Sequence, residues 1–299
     1  MNQQFLTELK AVTAENRIFT DEPMKKHTTF RVGGPADILV QPKGTELAAV
    51  IRLCRKYDVP YQVIGNGSNL LVGDRGIRGL VIEMLSKEDE ICVEDDCITV
   101  GAGMLLSKTA NRAAEHGLTG MEFAAGIPGR IGGAVVMNAG AYGGEMKDIL
   151  TAVTVLDQEG NEKILSAEEL ELGYRTSCIL KKGYIVTGAK IKLKHGEETA
   201  IRARMEELKK QRVEKQPLEY PSAGSTFKRP EGYFAGKLIQ DAGLRGFQVG
   251  GAQVSEKHCG FVINYSNATA TDVLQVINDV EKNVKEKFNV TLEPEVKII

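Results

Sequence analysis

The sequence predicts an α+β fold, because strand-like and helix-like segments are mixed along its 299 residues and hairpins occur beside crossovers. Two segments have the pattern of a hairpin. In EICVEDDCITV (90–100) short apolar runs flank an acidic turn, and AVTVLD (152–157) and EKILS (162–166) flank the turn QEGN. Hairpins on this scale favour α+β over a purely doubly wound parallel sheet.

In the N-terminal half, apolar residues at helical spacing predict a short amphipathic helix over Phe5, Leu6, Leu9 and Val12. Thr45 is the predicted N-cap of the helix TELAAVIRLCRKYD. The remaining elements predicted here are strands at ADILVQP (36–42), YQVIG (61–65) and GLVIEM (79–84), and a helix from Leu106 to His116 closed by Gly117.

In the C-terminal half, Ser166 and Glu169 have the spacing of a capping box, which predicts a helix SAEELELGY. The charged run GEETAIRARMEELKKQRVEKQ reads as a helix ended by Pro217 and marks the predicted start of a C-terminal domain. The remaining predictions are strands at GYIVTGAKIKL (183–193), FVINYS (261–266) and TLEPEVKII (291–299), and a helix TDVLQVINDVEKNVKEKF (271–288).

Charge and cysteine content exclude several classes of protein. With 38 basic and 40 acidic residues the formal net charge is −2, so no basic field supports binding to nucleic acid or to an anionic membrane. The five cysteines include no C-x-x-C pair, and the four histidines show no metal spacing, so no metal site is expected. His258 is expected to pack or to hydrogen-bond. Without a signal peptide or a long apolar run, a cytoplasmic protein is expected.

Glycine is concentrated in two stretches, VIGNGSNLLVGDRG (63–76) and EFAAGIPGRIGGAVVMNAGAYGGEM (122–146). Bare backbone lets N–H groups converge on a phosphate, and Ser68, Asn69 and Asn138 are small polar residues that could bind a ligand. Neither stretch fits the dinucleotide fingerprint or the P-loop. The pattern predicts a phosphate-bearing cofactor; the alternative is that the glycines only mark tight turns.

From about His27 to the C-terminus the chain resembles the UDP-N-acetylenolpyruvoylglucosamine reductases of bacterial peptidoglycan synthesis. The resemblance lies in the ordered motifs HTTFRVGGPADI, VIGNGSNLLV, GIPGRIGGAVVMNAGAYG, GYRTS, AGSTFKRP, LRGFQVGGAQVSEKHCGFVIN and LEPEVKII. It implies an FAD-binding region of the vanillyl-alcohol-oxidase type and a C-terminal α+β substrate domain. The regions expected are an N-terminal helix (1–22), two FAD-binding subdomains (23–92 and 93–196) and the substrate domain (197–299). The short spacing after AGAYGGEM resembles the shorter subtype, which lacks a tyrosine-bearing substrate loop.

The resemblance also implies a reaction and a set of site residues. NADPH would reduce FAD, and the reduced flavin would reduce UDP-N-acetylglucosamine enolpyruvate to UDP-N-acetylmuramate. Arg175 and Glu295 would stabilise the enolate and Ser225 would donate a proton, with burial raising the pKa of Glu295 so that it can donate a hydrogen bond. Lys228 and Arg229 would hold the substrate diphosphate. The FAD contacts implied are Gly65, Asn66, Gly67, Ser68, Asn69, Leu70, Gly126, Ile127, Pro128, Gly132, Gly133, Asn138, Ala139 and Gly140.

Other readings of the same residues stay open at this point. Ser225 to Lys228 spells S-x-x-K, the nucleophile motif of penicillin-recognising acyl enzymes, although only KTA (108–110) and YSN (265–267) resemble its companion motifs. Arg175 could be a surface residue at the end of a helix, Glu295 an exposed charge and the 228–229 pair a solvated turn. Tyr142 and Tyr174 could contact substrate or nicotinamide, or pack in the core. A flavin-binding or partner-binding module without chemistry is the remaining, non-enzymatic reading.

Overall fold

The computed structural model describes residues 3–86 and 91–299 of the chain, which folds into two compact units. The first unit comprises residues up to 20, 38–66 and 79–211, and the second comprises 21–37, 67–78 and 212–299. The second unit is therefore assembled from three separate stretches of sequence. Glu90, the first residue of one predicted hairpin, lies outside the described residues.

Helices and strands alternate throughout the described residues, which confirms the predicted α+β class. The helices are α1 (Gln3–Val12), α2 (Glu46–Lys56), α3 (Leu106–Glu115), α4 (Ile131–Val136), α5 (Cys178–Lys182), α6 (Glu198–Lys215), α7 (Ala235–Asp241) and α8 (Ala270–Phe288). The N-terminal helix, the helix closed by Gly117, the charged helix before Pro217 and the C-terminal helix all lie where the sequence predicts them.

The strands are β1 (Ile18–Pro23), β2 (Pro35–Val40), β3 (Tyr61–Ile64), β4 (Leu70–Leu71), β5 (Ile77–Glu83), β6 (Ile91–Glu94), β7 (Cys97–Gly101), β8 (Leu118–Thr119), β9 (Gly140–Ala141), β10 (Gly144–Glu145), β11 (Leu150–Leu156), β12 (Glu162–Ser166), β13 (Ile185–Lys192), β14 (Lys194–His195), β15 (Gln248–Val249), β16 (Ala252–Val254), β17 (Val262–Asn264) and β18 (Lys297–Ile298). Both predicted hairpins are present, as β6 with β7 and β11 with β12.

The first unit contains an antiparallel sheet in the order β12-β11-β13-β7-β6, whose inner face packs on α3, α4 and α5. A second sheet follows the order β1-β2-β5-β3, with β3 and β5 parallel. Helix α2 covers it with Leu47, Val50, Ile51 and Cys54, a helical i, i+3, i+4, i+7 stripe that is buried against Ile38 and Leu80. Two apolar cores thus support the loops that follow β3 and precede α4.

The second unit is built around α8, whose buried residues Val273, Val276, Ile277, Val280 and Val284 again follow helical spacing. They pack in one core with residues of the β15-β16-β17 sheet and with Phe30, Val32 and Leu71 from the two earlier stretches. The last strand, β18, pairs in parallel with β4, so that Lys297 faces Leu70 and Ile298 faces Leu71. This pairing brings the C-terminal motif beside the end of the first glycine-rich stretch.

One local prediction was confirmed only in position, and another was wrong. Thr45 is the N-cap residue of α2, as predicted, but its side chain accepts no hydrogen bond from the helix; the Glu46 carboxylate accepts one from the backbone N–H of Lys43. Ser166 and Glu169 form both hydrogen bonds of a capping box, yet residues 167–171 form turns and no helix. The chain cannot propagate a helix there because Glu171 already adopts a left-handed φ of 50°.

Candidate cofactor and active site

The two glycine-rich stretches meet in the first unit. Asn66 follows β3, and its Nδ2 donates a hydrogen bond of 2.7 Å to the carbonyl oxygen of Pro128. The preceding residue, Gly65, faces the aliphatic stem of Arg130, whose Cβ lies 3.4 Å from where a Gly65 Cβ would be. Residues 65–66 and 128–130, which the sequence assigned separately to one cofactor, therefore form one continuous surface.

The segment before α4 is fixed by backbone hydrogen bonds to residues 102–106. Ile131 donates to Met104 at 2.8 Å, Gly132 donates to Ala102 at 2.8 Å, and Leu106 donates to the carbonyl of Gly129 at 3.0 Å. A loop held at three points is pre-organised, so a ligand that binds along it need not order it.

The high glycine content of residues 122–146 has two physical causes. A Cβ on Gly140 would lie 2.6 Å from the carbonyl oxygen of Gly144, so the β9–β10 hairpin itself requires glycine. By contrast, a Cβ on Gly133 would meet nothing within 4 Å, and this residue is exposed. The turn interpretation thus explains Gly140, whereas Gly133 leaves open space beside its backbone.

Asn138 has a structural function that the sequence did not reveal. Its buried side chain donates from Nδ2 to Glu145 Oε2 (2.7 Å) and to the carbonyl of Gly173 (3.0 Å), and its Oδ1 accepts from the backbone N–H of Lys147. Both amide hydrogens and the oxygen are therefore occupied by protein groups. The predicted cofactor contact of Asn138 can concern only its backbone.

Arg175 lies beside this stretch within the first unit. Its Nη2 donates to the carbonyl oxygen of Gly140 at 3.3 Å, and its guanidinium lies 5.1 Å from the centre of the Tyr174 ring. Arg175 has a φ of 54°, a left-handed conformation that costs free energy in a residue with a Cβ and is concentrated at functional sites. It does not end a helix, which removes one alternative reading, and Tyr174 and Tyr142 are both exposed, so they do not pack in the core.

The remainder of the first glycine-rich stretch lies in the second unit. Asn69 donates from Nδ2 to the carbonyl of Glu295 at 3.2 Å, and the backbone N–H of Lys297 donates to the carbonyl of Asn69. The Asn69 side chain thus contacts the backbone of a predicted catalytic residue. Among the other predicted FAD contacts, the buried residue is Gly67, those of intermediate exposure are Ser68, Leu70, Ile127, Gly132 and Ala139, and the exposed ones are Gly126 and Pro128.

Thr226 joins the segments that carry Ser225 and Glu295 in the second unit. Its N–H donates to Gly260 at 2.8 Å, its Oγ1 accepts from the N–H of Val262 at 2.9 Å, and its carbonyl accepts from the N–H of Glu295 at 2.8 Å. Thr226 is fully buried, Ser225 is exposed and Glu295 is half-buried. The structure therefore brings two of the predicted catalytic residues to one junction, and no sequence motif indicates that Thr226 holds them there.

His258 also lies near Ser225. A Cβ on Gly260 would be 2.9 Å from His258 Cε1 and 3.5 Å from Ser225 Oγ, so the imidazole and the hydroxyl border the same glycine. The N–H of Gly260 donates to Nδ1 of His258, and burial lowers the pKa of this histidine, so the ring is neutral with its proton on Nε2. The ring packs edge-on against Phe261, in agreement with the predicted packing and hydrogen-bonding role.

Lys228 and Arg229 extend from the same segment. Lys228 donates from its backbone to the carbonyl of Glu293 and pairs its ammonium with the Glu293 carboxylate at 2.9 Å. The Arg229 guanidinium lies 4.0 Å from the centre of the exposed Phe234 ring. In an S-x-x-K acyl enzyme the lysine acts together with the serine nucleophile, but here Lys228 is paired with a carboxylate. The KTA segment lies inside helix α3 of the first unit. The structure gives that reading no support.

The described residues offer neither a metal-binding cluster nor a membrane-spanning helix. In the part of the chain that the structure describes, no group of three or more His, Cys, Asp or Glu side chains could hold a metal ion. Among residues 3–86 and 91–299, no helix combines the length and apolar composition needed to cross a membrane.

Two family models match this sequence. Residues 36–166 match an FAD binding domain, and residues 216–299 match the C-terminal domain of UDP-N-acetylenolpyruvoylglucosamine reductase. The first match includes β3 with Asn66 and the segment before α4, and the second includes Ser225 and Glu295.

Similar proteins and a solved structure cover nearly the whole chain. A UDP-N-acetylenolpyruvoylglucosamine reductase of Lachnoclostridium phytofermentans is 57% identical over 100% of this chain and 98% of its own length. The protein of the same name from Agathobacter rectalis is 55% identical, over 100% and 99%. The crystal structure of UDP-N-acetylenolpyruvylglucosamine reductase from Thermus caldophilus is 41% identical, with a TM-score of 0.79 over 92% of this chain and 97% of that one.

Proposed function

Because the chain belongs to the UDP-N-acetylenolpyruvoylglucosamine reductase family, we propose that it reduces UDP-N-acetylglucosamine enolpyruvate to UDP-N-acetylmuramate. NADPH is the reductant, FAD is the cofactor, and the product enters peptidoglycan precursor synthesis. The observation that carries this proposal is the Thr226 junction, which holds the Ser225 and Glu295 segments together in the second unit.

The residues of the first unit fit FAD. The joined surface of residues 65–66 and 128–130, the open backbone at Gly133 and the half-buried Arg130 guanidinium suit a large anionic dinucleotide. The predicted contacts within this unit would hold the cofactor through backbone groups. When bound, FAD supplies the hydride relay, accepting hydride from NADPH and delivering it to the enolpyruvyl group.

The chain's own residues then have to stabilise the negative charge that forms on the substrate and to supply one proton. Hydride addition to the enolpyruvyl group leaves negative charge on the adjacent carbon and its carboxylate. Arg175 is suited to pair with that carboxylate, since a guanidinium binds a carboxylate through two parallel hydrogen bonds. Its left-handed φ is compatible with this role, because residues in such conformations cluster at functional sites.

Ser225 is the proposed proton donor. Ser225 is exposed, the next residue Thr226 is held by its bonds to Gly260, Val262 and Glu295, and the Ser225 hydroxyl and the His258 ring both border Gly260. A carbanion-like carbon is basic enough to take a proton from a serine hydroxyl held in place. Glu295, half-buried beside Asn69, would donate a hydrogen bond to the developing enolate in its protonated form; the raised pKa that this needs remains a prediction.

An anaerobic absorbance experiment tests this proposal. The FAD-loaded protein should bleach on addition of NADPH and recover its flavin spectrum only when the UDP-enolpyruvyl sugar is added. The Ser225→Ala protein should still bleach with NADPH, but its sugar-dependent recovery should be at least about 100-fold slower, the lower end of what general acid catalysis contributes. Ser222→Ala, three residues earlier in the same segment, is the matched control and should behave like the wild type. A Ser225→Ala protein that recovers normally would refute the proton-donor role.

Glu295→Gln tests the carboxyl group separately. It keeps the shape of the side chain and the backbone bonds to Thr226 and Asn69, so flavin reduction by NADPH should be unchanged. We expect sugar-dependent recovery to slow by about 10- to 100-fold, because a weaker donor stabilises the enolate less. Equal rates for the two proteins would remove Glu295 from the mechanism.

We also propose functional regions along the chain. Residues 23–92 and 93–196 would serve FAD and residues 197–299 the substrate, with Lys228 and Arg229 holding its diphosphate. The short connection between β10 and β11 supports the subtype without a tyrosine loop. A cytoplasmic location follows from this function, since NADPH and nucleotide sugars are found in the cytoplasm.

A further inference from the structure

Arg130 carries a buried group without a hydrogen-bond partner. Its Nη1 donates to the carbonyl oxygen of Gly103 at 2.5 Å, but its Nε is fully buried and bonds to none of the described residues. A guanidinium has five donors, and a buried donor left unpaired costs free energy. Such an atom points to a partner that the protein itself does not supply.

The charge of Arg130 is also poorly compensated. Burial lowers the pKa of Arg130, and the attraction of the Glu83 carboxylate only partly opposes this effect. Glu83 is itself buried and accepts a hydrogen bond from Gln41 Nε2 at 2.7 Å. Because arginine stays protonated even in such surroundings, Arg130 is a half-buried cation with a fully buried Nε and with no hydrogen-bonded carboxylate among the described residues.

The position of Arg130 indicates which anion could pair with its guanidinium. Its stem packs on Gly65, and two residues earlier Pro128 accepts the hydrogen bond from Asn66. The guanidinium therefore belongs to the surface where the two glycine-rich stretches meet, and this surface is the proposed FAD site.

We propose that Arg130 binds the diphosphate of FAD through the edge of the guanidinium that carries Nε. Two parallel N–H groups on that edge match two oxygens of a phosphate, and the double negative charge of the diphosphate would offset the buried cation. This inference rests on the proposed function for the identity of the cofactor. It adds a residue that selects the dinucleotide over flavins without phosphate.

The test compares ligand binding by apo-protein variants. Arg130→Met removes the charge and keeps the stem that packs on Gly65, while Arg130→Lys keeps the charge but not the planar edge. Arg52→Met is the matched control, because Arg52 also belongs to the first unit, packs on a glycine (Gly160) and donates to a carbonyl oxygen, that of Gly160 at 3.0 Å. Dissociation constants for FAD, ADP and riboflavin are measured by titration calorimetry, with thermal unfolding of each apo-protein.

We expect Arg130→Met to weaken the binding of FAD and of ADP by about 10- to 100-fold, the range of a lost charge-assisted hydrogen bond. Its affinity for riboflavin should be unchanged. The FAD and ADP affinities of Arg130→Lys should lie between those of Arg130→Met and the wild type. Arg52→Met should bind all three ligands with wild-type affinity. The melting temperature of apo Arg130→Met should equal or exceed that of the wild type, because a half-buried charge without a hydrogen-bonded carboxylate has been removed.

Three results would overturn the assignment. Unchanged FAD affinity in Arg130→Met would remove Arg130 from the site. Weaker riboflavin binding by Arg130→Met, together with normal ADP binding, would place Arg130 at the flavin ring. Equal losses for all three ligands with a lower apo melting temperature would show a structural role. A wild-type protein that binds no FAD would instead refute the proposed function, and this inference with it.

Discussion

At the scale of single residues, Gly260 controls the space around the proposed proton donor. Its N–H fixes the His258 ring, its carbonyl accepts from Thr226, and a Cβ would come within 2.9 Å of the ring and 3.5 Å of Ser225 Oγ. Real Cβ atoms are rarely so close to a neighbour, so a methyl group there must displace the imidazole. The packing of Ser225 would change with it.

Gly260→Ala should therefore impair chemistry more than folding. We expect flavin reduction by NADPH to be unchanged. Recovery with the sugar should be about 10- to 100-fold slower, on the order of what a misplacement of about 1 Å costs in rate. The free energy of unfolding should fall by about 1–3 kcal/mol. Stopped-flow absorbance and urea unfolding measure the two effects. Gly73→Ala, where the nearest atom is 3.6 Å away, is the control; equal kinetics for the two variants would contradict the role given to Gly260.

The predictability of site residues depends on where their partners lie. Ser225, Arg175 and Glu295 could be proposed as catalytic residues because each lies in a short local motif. Thr226 could not, since its partners are 34 to 69 residues away, at Gly260, Val262 and Glu295. Asn138 was assigned to a ligand because it is small and polar, but only the folded chain shows that Glu145, Lys147 and Gly173 occupy its side chain.

At the scale of elements, Asp157 holds the turn of the β11–β12 hairpin. Its Oδ1 accepts from the N–H groups of Asn161 (2.9 Å) and Glu159 (3.0 Å), and Lys163 pairs with Oδ2 at 3.0 Å. The hydrogen bond from Asn161 is the largest of the effects that lower the pKa of Asp157 to about 2. A carboxylate with a lowered pKa stabilises the fold above its unfolded pKa of about 3.9, and this contribution is lost as the pH falls towards 2.

Asp157→Asn should consequently melt at a lower temperature than the wild type at pH 6, and the difference should shrink between pH 4 and pH 2. The asparagine cannot lose a charge, so its own melting temperature lacks this component of the pH dependence. Thermal unfolding monitored by circular dichroism across this range measures the effect. Glu162→Gln, an exposed carboxylate on the same hairpin, is the control; a pH-independent gap for Asp157→Asn would refute the argument.

The elements that the sequence predicted well are those with a strong period of their own. Helix α8 carries five buried valine and isoleucine residues at helical spacing, and the strands of the two hairpins flank polar turns. The predicted helix after Ser166 does not form because a capping box only starts a helix, and Glu171 adopts a left-handed φ of 50° five residues later. Strands of two residues, such as β4 and β18, carry no readable period and exist only because they pair with each other.

At the scale of the whole molecule, the discontinuous second unit was the feature least accessible to sequence reasoning. A linear division begins the C-terminal region at residue 197, but residues 21–37 and 67–78 contribute to the same unit as residues 212–299. Its core contains Phe30, Val32 and Leu71, and the Asp74 carboxylate caps α8 by accepting from the N–H groups of Ala270 and Thr271. Hydrophobic periodicity is local and cannot indicate which distant segments share a core.

This arrangement predicts that residues 212–299 do not fold alone. The fragment would lack the partner strand of β18, the Asp74 cap of α8 and three fully or nearly fully buried side chains of its core. Each loss is on the order of 1–5 kcal/mol, and together they exceed the usual stability of a small domain. Circular dichroism of the fragment should show little helix and no cooperative melting, whereas the full chain melts cooperatively.

A substitution in the full chain tests the same arrangement without truncation. Leu71 is fully buried in the second unit although it lies far from residue 212 in sequence, so Leu71→Ala should lower the free energy of unfolding by about 2–5 kcal/mol. Leu180→Ala, at a leucine that is 60% exposed, should change it by less than about 1 kcal/mol. A cooperatively folded fragment together with a neutral Leu71→Ala would show that residues 212–299 form an independent domain, and that the earlier stretches only lie on its surface.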